Sequence, residues 1–340
     1  MNSWRAPHSK DIAPRVNEFL QNLPGPVAIH LPGVDSTRTR VLVTLSHGNE
    51  PSGVEAVHQW LLNDKQPAVN VVIIMGAVEA ALAEPLFYFR QLPGQRDLNR
   101  CFNPPYKDRQ GQLAQSMLQY IRDLQPEAVI DMHNTSGSSV AFAVTIGDSA
   151  QQSALVSLFV DRLIVTDLRL GSLMEQDCGC PVVTIEAGGS QDDTSEVVAR
   201  QGLENYFLSD DLYAQANTRM EGVAIFRHPL RLELSAHSRI DYADRPLHDR
   251  DITVRKDIEQ FNFVPIEPDE MLAWLDTDGL SHLVIGSDYH PHEVAEFFQV
   301  EQGKLYPIRH MRLFMATTRP DIAASDCLFY FVYEEQDARC

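Results

Sequence analysis

Apolar runs and helix-spaced apolar positions alternate along the first two-thirds of the chain. Arg40–Leu45 reads RVLVTL, without Gly or Pro, and similar runs recur at Val69–Met75, Ala128–Asp131, Val140–Ile146 and Val182–Glu186. Short β-branched runs of this kind suit buried strands. Between them, Gln112–Leu124, Gln151–Val160 and Ser195–Tyr206 carry the spacing of amphipathic helices. The alternation predicts an α/β fold: a mostly parallel or mixed sheet flanked by helices. Residues 1 to about 38 read as a lead-in segment. Beyond about Gly222 the character changes to short runs such as Leu230–Leu234, Phe261–Val264, Leu283–Ile285 and Leu328–Tyr333, broken by Pro, Gly and Asp. The expected organisation is a catalytic domain over 1–222 and a smaller β-rich domain over 223–340, in line with a length prior of about two domains.

The ends of the predicted strands carry the chemistry. Ser46-His47-Gly48-Asn49-Glu50-Pro51 follows the first run, and Val54, Val57, Leu61 and Leu62 then take helical spacing. His47 and Glu50 therefore lie at the carboxyl end of a strand, on the turn into a helix, where open α/β sheets bind ligands. Met132-His133-Asn134 follows another strand and brings a second histidine to the same edge. Two histidines and one carboxylate, with an open fourth position, suit a catalytic zinc ion. A lone histidine at a strand end is usually a capping or core residue; the combination is what carries the reading. His30, His58, His228 and His310 have no comparable setting.

Two further segments add to the picture. Arg96-Asp97-Leu98-Asn99-Arg100-Cys101-Phe102 packs two arginines and an asparagine into a loop-like stretch, with Arg90 just upstream. Arginine offers a planar fork to a carboxylate, although for this stretch taken alone a solvated loop with a structural Asp97–arginine contact is the favoured explanation. Glu186 ends the apolar run PVVTIE before Ala187-Gly188-Gly189. Carboxylates are rarely buried without a partner, so a general base is the functional alternative there. Asp131, two residues before His133, leans to the same face of its strand and suits either a structural role or the orienting of a ligand histidine.

Taken in order, HGNE, RDLNRCF, DMHNT and TIEAGG resemble the succinylglutamate desuccinylase/aspartoacylase family, relatives of the zinc carboxypeptidases. The resemblance covers about Val41 to Gly189 and is loose in the C-terminal third. It implies a zinc-carboxypeptidase-like sheet, one zinc per chain on His47, Glu50 and His133, and Glu186 as the carboxylate that activates water. It further implies Asn99 and Arg100 as the pair that binds a substrate carboxylate or carbonyl. Arg90 or Arg96 supplies a further positive group; Arg96 is assigned to the catalytic groups and Arg90 to the substrate-binding ones, the spacing leaving the choice between them open. The implied activity is zinc-dependent hydrolysis of a small N-acyl amino acid. One departure bears on the substrate. Relatives acting on acyl-aspartate or succinyl-glutamate resemble one another in an arginine about ten residues before the catalytic glutamate, where this chain has Gln176, and Arg169 lies too far upstream. The stretch around Tyr306-Pro307 also lacks the tyrosine cluster of aspartoacylases.

Composition narrows the partners. The net charge of −19 argues against nucleic acid, which calls for a basic patch. It also means that an anionic substrate needs a local positive focus, which zinc and the Arg90–Arg100 stretch provide. No apolar run approaches the roughly 18 residues of a membrane span, and the polar N-terminus has no signal-peptide core. The five cysteines, Cys101, Cys178, Cys180, Cys327 and Cys340, form no disulfide framework, which points to reduced thiols and a cytoplasmic setting. Cys178-Gly179-Cys180 lacks the second ligand pair of a metal site and reads as structural. The expected partner is a small N-acyl amino acid, with no membrane or nucleic acid; a homo-oligomer is compatible with the sequence. Two other functions fit the same residues: a zinc carboxypeptidase or peptide amidase, which needs an open groove, and a non-catalytic zinc-binding module.

Overall fold

A strand apolar on both faces belongs in the middle of a sheet covered on both sides. In the computed structural model, which describes residues 2–5, 8–214, 222–286 and 292–333, the RVLVTL run takes that place. The first strands are β1 (Asn2–Arg5), β2 (Val27–Leu31) and β3 (Asp35–Thr44); β4 (Val69–Met75), β5 (Ala128–Thr135), β6 (Phe142–Thr145), β7 (Arg162–Val165), β8 (Val182–Gly189) and β9 (Ala224–Arg227) complete a nine-stranded sheet. Its order is β1-β2-β4-β3-β5-β8-β6-β7-β9. β3 runs parallel to both β4 and β5, whereas β2 opposes β4 and β6 opposes β8, so the sheet is mixed. Along β3, Leu42 enters the core under α2 (Ser52–Leu62) and α6 (Asp193–Leu208). Val41 and Val43 enter the opposite core with Ala114, Met117, Leu118 and Ile121 of α4 (Arg109–Leu124). Those α4 positions recur at helical spacing, and Asp108 caps the helix by accepting from Gly111 N.

The lead-in segment differs from expectation. Residues Val27–Leu31 pair with β4 and with β1, so the start of the chain builds one edge of the sheet. The run VAIHL is too short, between Pro26 and Pro32, for its periodicity to show in the sequence; pairing with β4 decides its conformation. The expected strand at Phe261–Val264 is also absent. Ile258–Phe261 is a 3₁₀ turn, Phe263 takes φ 64°, and the short strand is Pro265–Ile266. Asn262 causes the diversion, since its side chain exchanges hydrogen bonds with the backbone of Ala316 and donates to Ser138 O.

The chain forms two compact units: residues 1–134 with 141–225, and residues 226–340 with the segment 135–140. The second unit contains two five-stranded sheets. One runs in the order Pro265–Ile266, Met311–Phe314, Phe329–Tyr333, Leu230–Leu234, Leu283–Gly286; the other in the order Ile240–Ala243, Ile252–Arg255, Ala273–Leu275, Lys304–Pro307, Phe298–Glu301. Glu259 ties the segment 135–140 into this unit, accepting from Ser138 N and from Thr318 N.

A cation also lies inside the first unit. Arg40 is fully buried; its Nε donates to Glu127 Oε1 at 2.5 Å and its Nη1 to Tyr206 O at 2.6 Å. Removing one partner strands a buried cation, which costs more than the pair contributes. Glu127→Ala is expected to destabilise the first unit by about 3 kcal/mol, read as a lower urea midpoint at unchanged slope. Arg40→Met, which removes the charge itself, is expected to cost less.

Candidate metal centre

The three candidate ligands come from neighbouring strands. β3 ends at Thr44, Leu45 takes φ 52°, and the turn Ser46–Pro51 leads into α2. The turn passes so close to α3 (Val78–Leu82) that a Cβ on Gly48 would stand 2.6 Å from the Ala80 carbonyl carbon and the Ala81 nitrogen, so glycine is required there. Gly48 N also donates to Arg90 O at 2.9 Å, which pins the Arg90 stretch against the turn. β5, adjacent to β3, carries Asp131 and His133, both buried.

His47 Nδ1 lies 2.7 Å from Glu50 Oε1, and His133 Nδ1 lies 2.7 Å from Glu50 Oε2. One ligand atom from each of the three residues lies within 4.8 Å of the others. The outer nitrogens face carboxylates: His47 Nε2 is 2.8 Å from Asp97 Oδ1 and His133 Nε2 is 2.9 Å from Asp131 Oδ2. A carboxylate on the outer nitrogen fixes the tautomer, with N–H outward and the Nδ1 lone pair inward. Two inward lone pairs then confront both oxygens of Glu50, an arrangement of acceptors against acceptors that requires protons or a cation between them. A divalent metal would supply that charge, and the N, N, O donor set suits a catalytic zinc site.

The electrostatics agree. Burial pushes the Glu50 carboxyl up, but His47 and His133 outweigh it and hold it well below the usual carboxylate range. Burial pushes His133 down, and Asp131 and Glu50 more than reverse that, so its pKa is raised. Asp97 is likewise held low against its burial by His47, Arg90 and Arg100. Glu186 behaves oppositely: burial lifts it to about 7 despite His133. It sits on β8, next to β5 in the sheet, and its Oε2 has no hydrogen-bond partner among the described residues.

The arginines separate. Arg90 Nη1 lies 3.5 Å from Glu50 Oε1, and its Nε and Nη2 donate to Asp97 Oδ2 at 3.0 and 2.8 Å. Arg96 does not join the centre, contrary to its expected catalytic placement: its guanidinium pairs with Asp108, the N-cap of α4, with both side chains about half exposed. Asp108, twelve residues on, claims it, while the adjacent Asp97 pairs with Arg90. Asn99 is buried, with Nδ2 3.4 Å from His133 Nε2 and Oδ1 accepting from Leu173 N. Arg100 is half-buried and its Nη1 donates to Asn99 O. Gln176 donates to Asn103 Oδ1, and Arg169 is exposed, bonded to the backbone of Asp167 and Leu168.

Sequence reasoning gave Asp97 only an arginine contact; that contact exists, with Arg90, and the same carboxylate also orients His47. The signal available was its position directly before Leu98-Asn99-Arg100. Cys101, Cys178, Cys180 and Cys327 are free thiols, and Cys340 lies outside the described residues. Burial pushes Cys178 and Cys180 up to about 11 and about 12, the opposite of what a metal-ligating or reactive thiol needs. No described helix is long and apolar enough to cross a membrane.

Residues 36–202 match the model of the succinylglutamate desuccinylase/aspartoacylase catalytic domain. No curated protein sequence matches the chain. Among solved structures, a succinylglutamate desuccinylase from Silicibacter is 16% identical, with 90% of this chain and 88% of that one covered and a TM-score of 0.56. A succinylglutamate desuccinylase/aspartoacylase from Rhodobacter sphaeroides is 15% identical, with 91% and 88% covered and a TM-score of 0.55. Murine aminoacylase 3 is 16% identical, with 87% and 95% covered and a TM-score of 0.52. At these identities the likeness establishes the shared α/β fold. Residues 36–202 are thus similar to the catalytic domain of the succinylglutamate desuccinylase/aspartoacylase family.

Proposed function

We propose that this protein hydrolyses the amide bond of a small N-acyl amino acid, with one zinc ion held by His47, Glu50 and His133 and with Glu186 as general base. The observation that carries the reading is the convergence of the three donors, acceptor against acceptor, beside a buried glutamate with an unpartnered oxygen. Zinc bound there supplies a Lewis acid that acidifies water and polarises a carbonyl. Glu186 takes the proton of the attacking water and returns it to the leaving amine nitrogen; the upward push of burial on its carboxyl favours holding that proton in between. Arg90, held by Asp97 beside Glu50, faces the charge that develops on the carbonyl oxygen. Asn99 and Arg100 bind the α-carboxylate. Residues 1–222 act as the catalytic domain and 223–340 as a β-rich accessory domain. The protein works in the cytoplasm on a free small molecule.

Substrate choice follows from Gln176. A charged guanidinium that pairs with a second substrate carboxylate has no equivalent in a neutral amide side chain, and Gln176 is engaged by Asn103 and Ser172. The enzyme is expected to prefer N-acyl amino acids with neutral side chains. Comparing kcat/KM for N-acetylaspartate, N-succinylglutamate and several neutral N-acyl amino acids tests this. A dicarboxylic substrate ahead by tenfold or more contradicts the specificity; exclusive action on longer peptides contradicts the deacylase reading.

The raised pKa of Glu186 also makes a statement about stability. A carboxyl whose folded pKa lies above its unfolded value lowers stability as pH rises between the two, and the full penalty stands above the folded pKa. In metal-free protein, Glu186→Gln is therefore expected to raise Tm at pH 8 and to leave it unchanged near pH 4. An equal effect at both pH values would assign the change to packing.

A further inference from the structure

The segments carrying Glu50, His133 and Glu186 leave the sheet side by side, because β3, β5 and β8 are neighbours. Asn134, next to His133 on the central strand, joins the other two. Its Oδ1 accepts from Ser52 N at 3.1 Å; its Nδ2 donates to Ser52 Oγ at 2.8 Å and to Gly188 O at 3.0 Å. Ser52 is two residues beyond Glu50, and Gly188 two beyond Glu186. Ser52 Oγ lies 3.2 Å from Ser195 Oγ, which donates to Asp192 O at 2.7 Å, so the network reaches the start of α6. Asn134, Ser52 and Ser195 are all buried. Sequence reasoning gave Asn134 no role.

We propose that Asn134 is a positioning residue that holds Glu186 in register with the metal ligands. The inference rests on the function proposed above, since it assumes that Glu186 is the base. The side-chain chemistry is specific. Only a carboxamide of this length accepts from Ser52 N while donating twice, and a buried network of this kind fixes one geometry when every member is satisfied. Gly188 has φ 107°, so β8 ends in a conformation open mainly to glycine, and the Asn134 bond fixes its carbonyl at that point. A general base acts through its placement, and displacements of about 1 Å cost about 10²-fold in rate. Asn134 makes no hydrogen bond to a ligand atom; His133 is held independently by Glu50 and Asp131. Its removal should therefore spare zinc and substrate affinity and act on turnover.

The test is Asn134→Ala in the wild-type and Glu186→Gln backgrounds, measuring zinc content, kcat and KM on the best substrate. Expected are one zinc per chain, KM within about threefold, kcat lowered about 10–100-fold in the wild-type background, and little further loss in Glu186→Gln. If Asn134→Ala does not fold, Asn134→Asp has nearly the same shape and still accepts from Ser52 N, but it loses the Nδ2 donations to Ser52 Oγ and Gly188 O; the same kcat loss is expected. Wild-type turnover in a folded Asn134 variant, with Glu186→Gln impaired, overturns this inference alone. So does an equal loss in both backgrounds, or a loss of zinc. Wild-type turnover in Glu186→Gln overturns the function proposed above and this inference with it.

Discussion

Glu186→Gln is expected to keep the fold and one zinc per chain and to lower kcat by about 10²–10⁴-fold, the usual contribution of a general acid–base group. The amide has the shape of the carboxylate but cannot take the proton of water. Burial raises the native group, and the active form is the carboxylate. The wild-type kcat/KM should therefore drop on the acid side as Glu186 takes up a proton, and the residual activity of the variant should lack that limb. Turnover near wild-type on the best substrate removes Glu186 from the reaction.

His133→Ala is expected to have the other large effect: loss of the metal and of essentially all activity. Three protein ligands leave little redundancy at such a site, and without His133 the Glu50 Oε2 and Asp131 contacts lose their common partner. Asn99→Ala should retain the metal, because Asn99 touches His133 only through its outer nitrogen, at 3.4 Å, and should lose substrate affinity instead. Asp131→Asn is intermediate, since groups that orient a ligand histidine typically contribute about 10–100-fold in metal affinity or activity. Metal content across the three variants separates these cases; a His133→Ala protein that keeps full zinc shows that the ion sits elsewhere.

Much of this was legible in the sequence because the strands that carry the site are central. A central strand buries both faces, so its apolar run stands out, as Arg40–Leu45 and Ala128–Asp131 do, and the polar residues that interrupt it at the carboxyl end are conspicuous. Edge elements lack that contrast. VAIHL becomes a strand through pairing with β4, and Phe261–Val264 leaves extended structure because Asn262 finds backbone partners far away in sequence. The same distinction runs through the site. His47, Glu50, His133 and Glu186 declare themselves by position at strand ends. Arg90 and Arg96 are equivalent in the sequence, and only the location of Asp97 and Asp108 separates them. Asn134 stayed hidden because its partners, Ser52 and Gly188, are 82 and 54 residues away.

The central claim is that His47, Glu50 and His133 hold one zinc ion on which amide hydrolysis depends. Elemental analysis of protein purified without added metal, paired with deacylase assays before chelation, after it and after zinc is restored, tests it most directly. The account predicts about one zinc per chain, activity that disappears with the metal, and recovery on adding zinc back. Undiminished hydrolysis by protein carrying no transition metal would contradict it.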